Sequence, residues 1–72
     1  MPPEVRALSV NGAVERSAAA TLLELLEQRG LDTARAGFAC AVNGAFVPRA
    51  CWAGQALCEG DRVDIVAPVV GG

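Results

Sequence analysis

The chain has 72 residues, of which 53% are hydrophobic and 19% are charged, and its net charge is -2 at pH 7. A chain of this length holds one hydrophobic core, and such a domain buries only about 60% of the surface of its unfolded chain. We therefore expect residues 1–72 to form one small domain with a thin core, in which residues 69–72 are a flexible tail.

The sequence contains no His, Lys or Tyr, which removes general-base histidine, Schiff-base lysine and histidine metal ligands. We expect a protein without catalytic residues or a metal site, and therefore not an enzyme. The acidic balance gives no basic stripe for nucleic acid and favours a basic protein partner. No apolar run approaches the ~18 residues of a membrane helix, and Met1-Pro2-Pro3-Glu4 is unlike a signal peptide, so we expect a cytoplasmic protein without a membrane partner.

The three cysteines are Cys40, Cys51 and Cys58. Their number is odd and no two form a C-x-x-C pair, so neither a complete disulfide framework nor a zinc ribbon is indicated. We expect free, buried thiols.

The first half of the chain predicts a hairpin. A strand from Val5 to Val10 carries Leu8 and Val10 on its more apolar face. Asn11-Gly12 is typical of a tight type I′ turn, which joins this strand to a second one from Ala13 to Arg16.

A helix is predicted from Thr21 to Arg29. Thr21 and Glu24 have the spacing of a capping box, and Gly30 is suited to a left-handed C-cap. The side chains expected to face the core are Leu22, Leu25, Leu26 and Arg29, with Leu23 widening the stripe.

A second hairpin follows the polar connection 31–37. Its strands run from Phe38 to Val42 and from Ala45 to Val47, joined by Asn43-Gly44. Pro48 cannot donate a ladder hydrogen bond, so we expect the second strand to lie at a sheet edge.

Trp52 is predicted to cap the core from a turn-like segment, Ala50 to Gln55, although a tryptophan can also anchor an interface. Glu59-Gly60-Asp61 predicts a turn before a last strand from Arg62 to Pro68. Its inner face is expected to carry Val63, Ile65 and Ala67. Val66 and Pro68 then fall on the opposite face, as an exposed apolar patch for a partner.

The order ββαβββ indicates an α+β protein with a mixed sheet of about five strands and one main helix, which is the β-grasp or ubiquitin-like fold. Within it, the run from Ala41 to Arg49, Trp52, Glu59-Gly60-Asp61 and Gly71-Gly72 resembles the bacterial ThiS/MoaD-type sulfur-carrier family. The Val47-Pro48-Arg49 run resembles the branch of thiamine biosynthesis. The tail from Pro68 to Gly72 partly fits the molybdopterin branch.

The resemblance implies a role for the C-terminus. A ThiF-like adenylating enzyme would use ATP and magnesium to activate the Gly72 carboxylate, and a persulfide enzyme would supply the sulfur of a thiocarboxylate. A ThiG-like thiazole synthase would then accept that sulfur. The chain itself would bind no cofactor. Gly71, Val70 and Val69 would form the tail, with Val66 and Pro68 as the partner surface and Glu59, Asp61 and Asp64 as acids that steer a basic enzyme.

Other functions stay open on the sequence alone. The sulfur could serve molybdopterin or a specialised metabolite, or the domain could be a non-covalent β-grasp interaction module with an incidental tail. Attachment of Gly72 to a lysine of another protein is a further alternative. Chains built on this protein itself would lack a lysine acceptor.

Overall fold

The computed structural model describes residues 5–35 and 37–67, which form one five-stranded sheet with a helix packed on one face. The strands are β1 (Arg6–Val10), β2 (Ala13–Ser17), β3 (Ala39–Val42), β4 (Ala45–Val47) and β5 (Arg62–Val66), and the helix is α1 (Leu22–Gln28). A 3-10 helix, Arg49–Gly54, follows β4. The spatial order is β2-β1-β5-β3-β4, with β1 and β5 parallel and the other neighbours antiparallel. This mixed sheet with one α-helix confirms the predicted β-grasp arrangement.

Both Asn-Gly pairs form the predicted hairpin turns. Asn11 and Gly12 have φ angles of 51° and 84°, and Asn43 and Gly44 have 52° and 82°. Two successive residues at positive φ match the right-handed twist of the flanking strands, and asparagine tolerates this conformation better than most residues. The two turns set the registers of β1 with β2 and of β3 with β4.

Helix α1 is shorter than predicted by one residue at each end, because Thr21 and Arg29 are its caps. The Glu24 amide donates to the Thr21 hydroxyl at 3.2 Å. The Glu24 carboxylate accepts from the Ala20 amide at 3.4 Å, not from the Thr21 amide as a complete capping box requires. Gly30 has a φ of 78°, as a left-handed C-cap residue does.

The core lies between α1 and the inner face of the sheet. Its buried hydrophobic residues are Leu8, Val10, Ala19, Leu22, Leu25, Leu26, Cys40, Val42, Val47, Trp52, Leu57 and Val63. The leucine stripe is confirmed, but the placement of Arg29 on the core face was wrong. Its guanidinium lies at the surface and forms an ion pair with Glu15 of β2 at 2.9 Å, since a charged group is costly to bury.

The last strand ends at Val66, which pairs with Ala39 at the beginning of β3. Ala67 follows the strand and is exposed, so its expected place on the inner face was wrong. The reason is that the paired part of β3 starts at Ala39, which leaves Ala67 no ladder partner there. Pro68 lies outside the described residues. Within residues 5–35 and 37–67, no helix has the length and apolar character needed to cross a membrane.

Candidate functional site

The sheet face opposite α1, called here the open face, carries the outward side chains of β5. Val63 points into the core and is fully buried, whereas Val66 is 62% exposed. Strand alternation therefore places Val66 on the open face, as predicted. The other residue predicted for this surface, Pro68, lies outside the described residues, as do Val69, Val70, Gly71 and Gly72.

Val66 has apolar neighbours on the open face. Ala39 of β3 pairs with Val66, and Ala41 of β3 pairs with Phe46 of β4. Ala39 and Ala41 are two positions apart in one strand, so all four side chains lie on the same face of the sheet. Phe46 is 68% exposed. We call Ala39, Ala41, Phe46 and Val66 the open-face patch. The two alanines leave a shallow depression between the larger side chains of Phe46 and Val66, and an apolar side chain of another protein could pack there.

Sequence reasoning missed Phe46, although the signal was present. Val47 is buried and next to it in a strand, so alternation alone places Phe46 outward.

The charged groups near β5 are largely engaged within the chain. Arg62 pairs with Asp64 at 3.5 Å. The Asp61 carboxylate accepts from the Asn43 side-chain amide at 3.0 Å and from the Cys58 amide at 2.8 Å, and Glu59 accepts from the Ala7 amide at 2.9 Å. Glu59, Asp61 and Asp64 therefore make local contacts within the fold, in addition to any long-range attraction of their negative charges for a partner.

Trp52 belongs to the core. It is 2% exposed, its indole donates to the Val47 carbonyl at 3.0 Å, and its ring stacks on Phe38 with centroids 5.2 Å apart. The prediction that it caps the core is confirmed. The Arg49 guanidinium donates to the Ala34 carbonyl, which ties the 3-10 helix to the loop after α1. This hydrogen bond joins two segments that are distant in sequence.

The three cysteines are free thiols, but only Cys40 is buried. The expectation of burial was wrong for Cys51 and Cys58. The 3-10 helix turns Trp52 inward and its neighbour Cys51 outward, and Cys58 lies in the turn region before β5. Burial raises the pKa of the Cys40 thiol, because the thiolate is disfavoured away from water. Within the described ranges, no three His, Cys, Asp or Glu side chains are grouped so that they could hold a metal ion.

The chain matches the model of the ThiS family over residues 4–72. It is 40% identical over 60 residues to the sulfur carrier protein ThiS of Escherichia coli (strain K12), and this match covers 83% of the chain and 88% of that protein. Its structure resembles the crystal structure of the thiamine biosynthesis protein ThiS from Geobacter metallireducens, with a TM-score of 0.76 and 25% identity over 92% of this chain and 99% of that one. Fold, motifs and both relatives agree, and the chain therefore belongs to the ThiS family.

Proposed function

We propose that the protein is a sulfur carrier whose Gly72 carboxylate is adenylated and converted to a thiocarboxylate that donates sulfur for thiazole formation in thiamine biosynthesis. The observation that carries this proposal is the family match, which includes Gly71 and Gly72. The curated relative from Escherichia coli is named as a sulfur carrier, and the structural relative as a thiamine biosynthesis protein, which supports the same pathway.

The chemistry requires activation because a carboxylate is a poor electrophile. An oxygen of the Gly72 carboxylate attacks the α-phosphorus of ATP and pyrophosphate leaves, which gives an acyl-adenylate. The terminal sulfur of an enzyme persulfide then attacks the acyl carbon, and AMP leaves with that oxygen. A second thiol cleaves the resulting S–S bond, so that the thiocarboxylate is released and the two enzyme sulfurs end as a disulfide.

In this scheme the partners supply the reactive groups, and the carrier is a co-substrate. ATP and magnesium belong to a ThiF-like adenylating enzyme, and sulfur moves from a persulfide enzyme to the carrier and on to a ThiG-like thiazole synthase. The scheme asks no acid–base step of the carrier, which accords with a sequence without His or Lys. What the carrier contributes is a compact body that an enzyme can recognise and a glycine pair without side chains that can enter a narrow site.

The open-face patch is the surface that we propose for this recognition. Val66 and Phe46 are exposed apolar side chains, and Val66 precedes Gly72 by only six positions. A partner that covers the patch would therefore hold the carrier close to the reacting terminus. Pro68, two positions after Val66 in the sequence, is proposed as part of the same surface.

Removal of Gly72 tests the proposal. In a mixture of the ThiF-like enzyme, ATP, magnesium and a labelled sulfur donor, the intact chain should acquire label and the chain without Gly72 should not. Gly71→Val should also block loading, because its side chain restricts the backbone and must pass the same site. Circular dichroism should show that all three proteins are folded. Transfer of sulfur to thiazole synthase by a folded protein without Gly72 would contradict the proposal and favour the interaction module.

The acceptor distinguishes the remaining alternatives. Loaded carrier offered separately to thiazole synthase and to molybdopterin synthase should lose its sulfur to the first. Transfer only to the second would assign the chain to the molybdopterin branch, which the tail from Pro68 to Gly72 partly resembles.

A further inference from the structure

The asparagines of the two hairpin turns, Asn11 and Asn43, both form hydrogen bonds to β5. The asparagine of each turn bonds to β5 twice, once through its backbone amide and once through its side-chain carbonyl. Asn43 donates to the Arg62 carbonyl at 2.7 Å and its Oδ1 accepts from the Arg62 amide at 2.9 Å. Asn11 donates to the Val63 carbonyl at 2.9 Å and its Oδ1 accepts from the Ile65 amide at 2.7 Å.

Ladder geometry explains these contacts. In the parallel pair of β1 and β5, the residue after Val10 would donate to Val63 and accept from Ile65 through its main-chain carbonyl. Asn11 has turned into the left-handed region, with φ at 51°, so its side chain supplies the acceptor in place of that carbonyl. Asn43 does the same for the antiparallel pair of β3 and β5. Each asparagine therefore both makes its turn and adds one rung to the sheet.

The two rungs differ in position. Asn43 acts at Arg62, where β5 begins, and it also binds the Asp61 carboxylate. Asn11 acts at Ile65, beyond the last paired residues of β1. Among the described residues, this is the hydrogen bond nearest to the C-terminal end of β5 on the side that faces β1. On the other side, β3 holds the end of the strand through Ala39 and Val66.

We propose that Asn11 is a positioning residue for sulfur loading: its side chain, together with the pairing to β3, fixes the end of β5 and thereby the position of Val66 and Ala67, the last described residues before Gly72. This inference rests on the proposed function, because it concerns delivery of Gly72 to the adenylating enzyme. Without the Asn11 carbonyl, water replaces it at Ile65 and the strand end samples other positions. Only the fraction of carrier with the end of β5 in the correct position docks productively, so the KM for the carrier rises while kcat is kept.

Three variants separate positioning from stability. Asn11→Gly keeps a residue that tolerates positive φ but removes the acceptor, and Gly-Gly is a suitable type I′ turn. Asn11→Asp keeps an acceptor oxygen and tolerates the same conformation. Asn43→Gly is the matched control, since it removes the equivalent rung from the other end of β5 together with the bond to Asp61.

The first measurement is amide hydrogen exchange at Ile65, which is independent of any enzyme. Exchange should become faster in Asn11→Gly, return toward the original rate in Asn11→Asp, and stay unchanged in Asn43→Gly. The second is steady-state pyrophosphate release by the ThiF-like enzyme with ATP, magnesium and a persulfide donor, so that each adenylated carrier is discharged and the enzyme turns over. Asn11→Gly should raise the KM for the carrier about two- to tenfold, the range that one lost hydrogen bond spans, with kcat little changed. Asn11→Asp should restore the KM, and Asn43→Gly should leave it unaltered.

The outcomes distinguish two failures. If the unaltered carrier itself causes no pyrophosphate release, the proposed function fails, while Ile65 exchange still tests the role of Asn11 at the strand end. If the unaltered carrier is active and Asn11→Gly exposes Ile65 without a change in KM, the positioning role is overturned. An equal rise of KM in folded Asn43→Gly would overturn it as well, because general weakening of the sheet would then explain the effect.

Discussion

Leu26 is fully buried in α1, between its own helix and the sheet. A small domain has a small margin of stability, so a cavity at this position removes a large share of it. We expect Leu26→Ala to lower the free energy of unfolding by about 2–5 kcal/mol, as buried leucine truncations do. Guanidinium denaturation measures this.

Leu23→Ala is the comparison for that variant. Leu23 lies on the same helix but is only half-buried, so its loss should be clearly smaller. Equal shifts in the two denaturation midpoints would show that Leu26 does not hold the central position in the core.

The thiols differ in their accessibility. A thiol reagent added to the native protein should modify Cys51 and Cys58 quickly and Cys40 only on unfolding, since the first two are exposed and Cys40 is not. Rapid modification of all three residues in the folded protein would contradict the packing of β3.

Cys40 also makes stability depend on pH. Its folded pKa is raised above the ordinary 9.0, so the folded state holds the proton more tightly than the unfolded chain. This contribution is complete below pH 9.0 and is lost as the pH rises through the folded pKa. The free energy of unfolding should therefore fall more steeply above pH 9.0 in the unaltered protein than in Cys40→Ala.

Helix α1 has only seven residues, a length that is marginal in isolation. Its start depends on the Thr21 hydroxyl, which accepts from the Glu24 amide. Thr21→Ala should lower the free energy of unfolding by about 1 kcal/mol, whereas Thr21→Ser should keep most of the stabilisation that the cap provides. Thermal unfolding of the two variants side by side checks this. Equal melting temperatures for Ala and Ser would show that the hydroxyl is not a cap.

At the level of elements, the sequence was most informative where local chemistry decides the structure. Asn11-Gly12 and Asn43-Gly44 need positive φ, and the leucine stripe of α1 has helical spacing, so both were predictable. The ends of helices and strands were less predictable, because they depend on contacts with other parts of the chain. Where β5 ends is set by Ala39 across the sheet, and no local pattern near Ala67 reports that contact.

Side-chain contacts between segments that are distant in sequence could not be predicted from local patterns either. The pairing of Arg29 with Glu15, and the hydrogen bond from Arg49 to the Ala34 carbonyl, join segments that are distant in sequence. For the candidate site, strand alternation was sufficient to predict exposure of Val66. The contiguity of Val66 with Phe46 required the register of three strands.

At the scale of the whole molecule, the open face should separate binding from folding. Val66→Asp puts a carboxylate into the proposed interface and leaves the core untouched, so we expect the Kd for the ThiF-like enzyme to rise by about tenfold or more with little change in melting temperature. Titration calorimetry measures the Kd.

Val14→Asp is the matched control for this variant. Val14 is 78% exposed on β2, the edge strand that β1 separates from β5, so it lies away from the open-face patch and its change should leave the Kd unaltered. Equal weakening by both variants would indicate an effect of net charge, and unchanged affinity of folded Val66→Asp would move the interface elsewhere.

The central claim is that sulfur is carried on the terminal carboxyl carbon, and the intact mass of the protein tests it most directly. After incubation with the ThiF-like enzyme, ATP, magnesium and a persulfide donor, the mass should rise by the difference between one sulfur and one oxygen atom, and fragmentation should assign the change to Gly72. A persulfide on exposed Cys51 or Cys58 would instead add a whole sulfur atom without loss of oxygen. An unchanged mass, or a gain confined to those cysteines, would contradict the account.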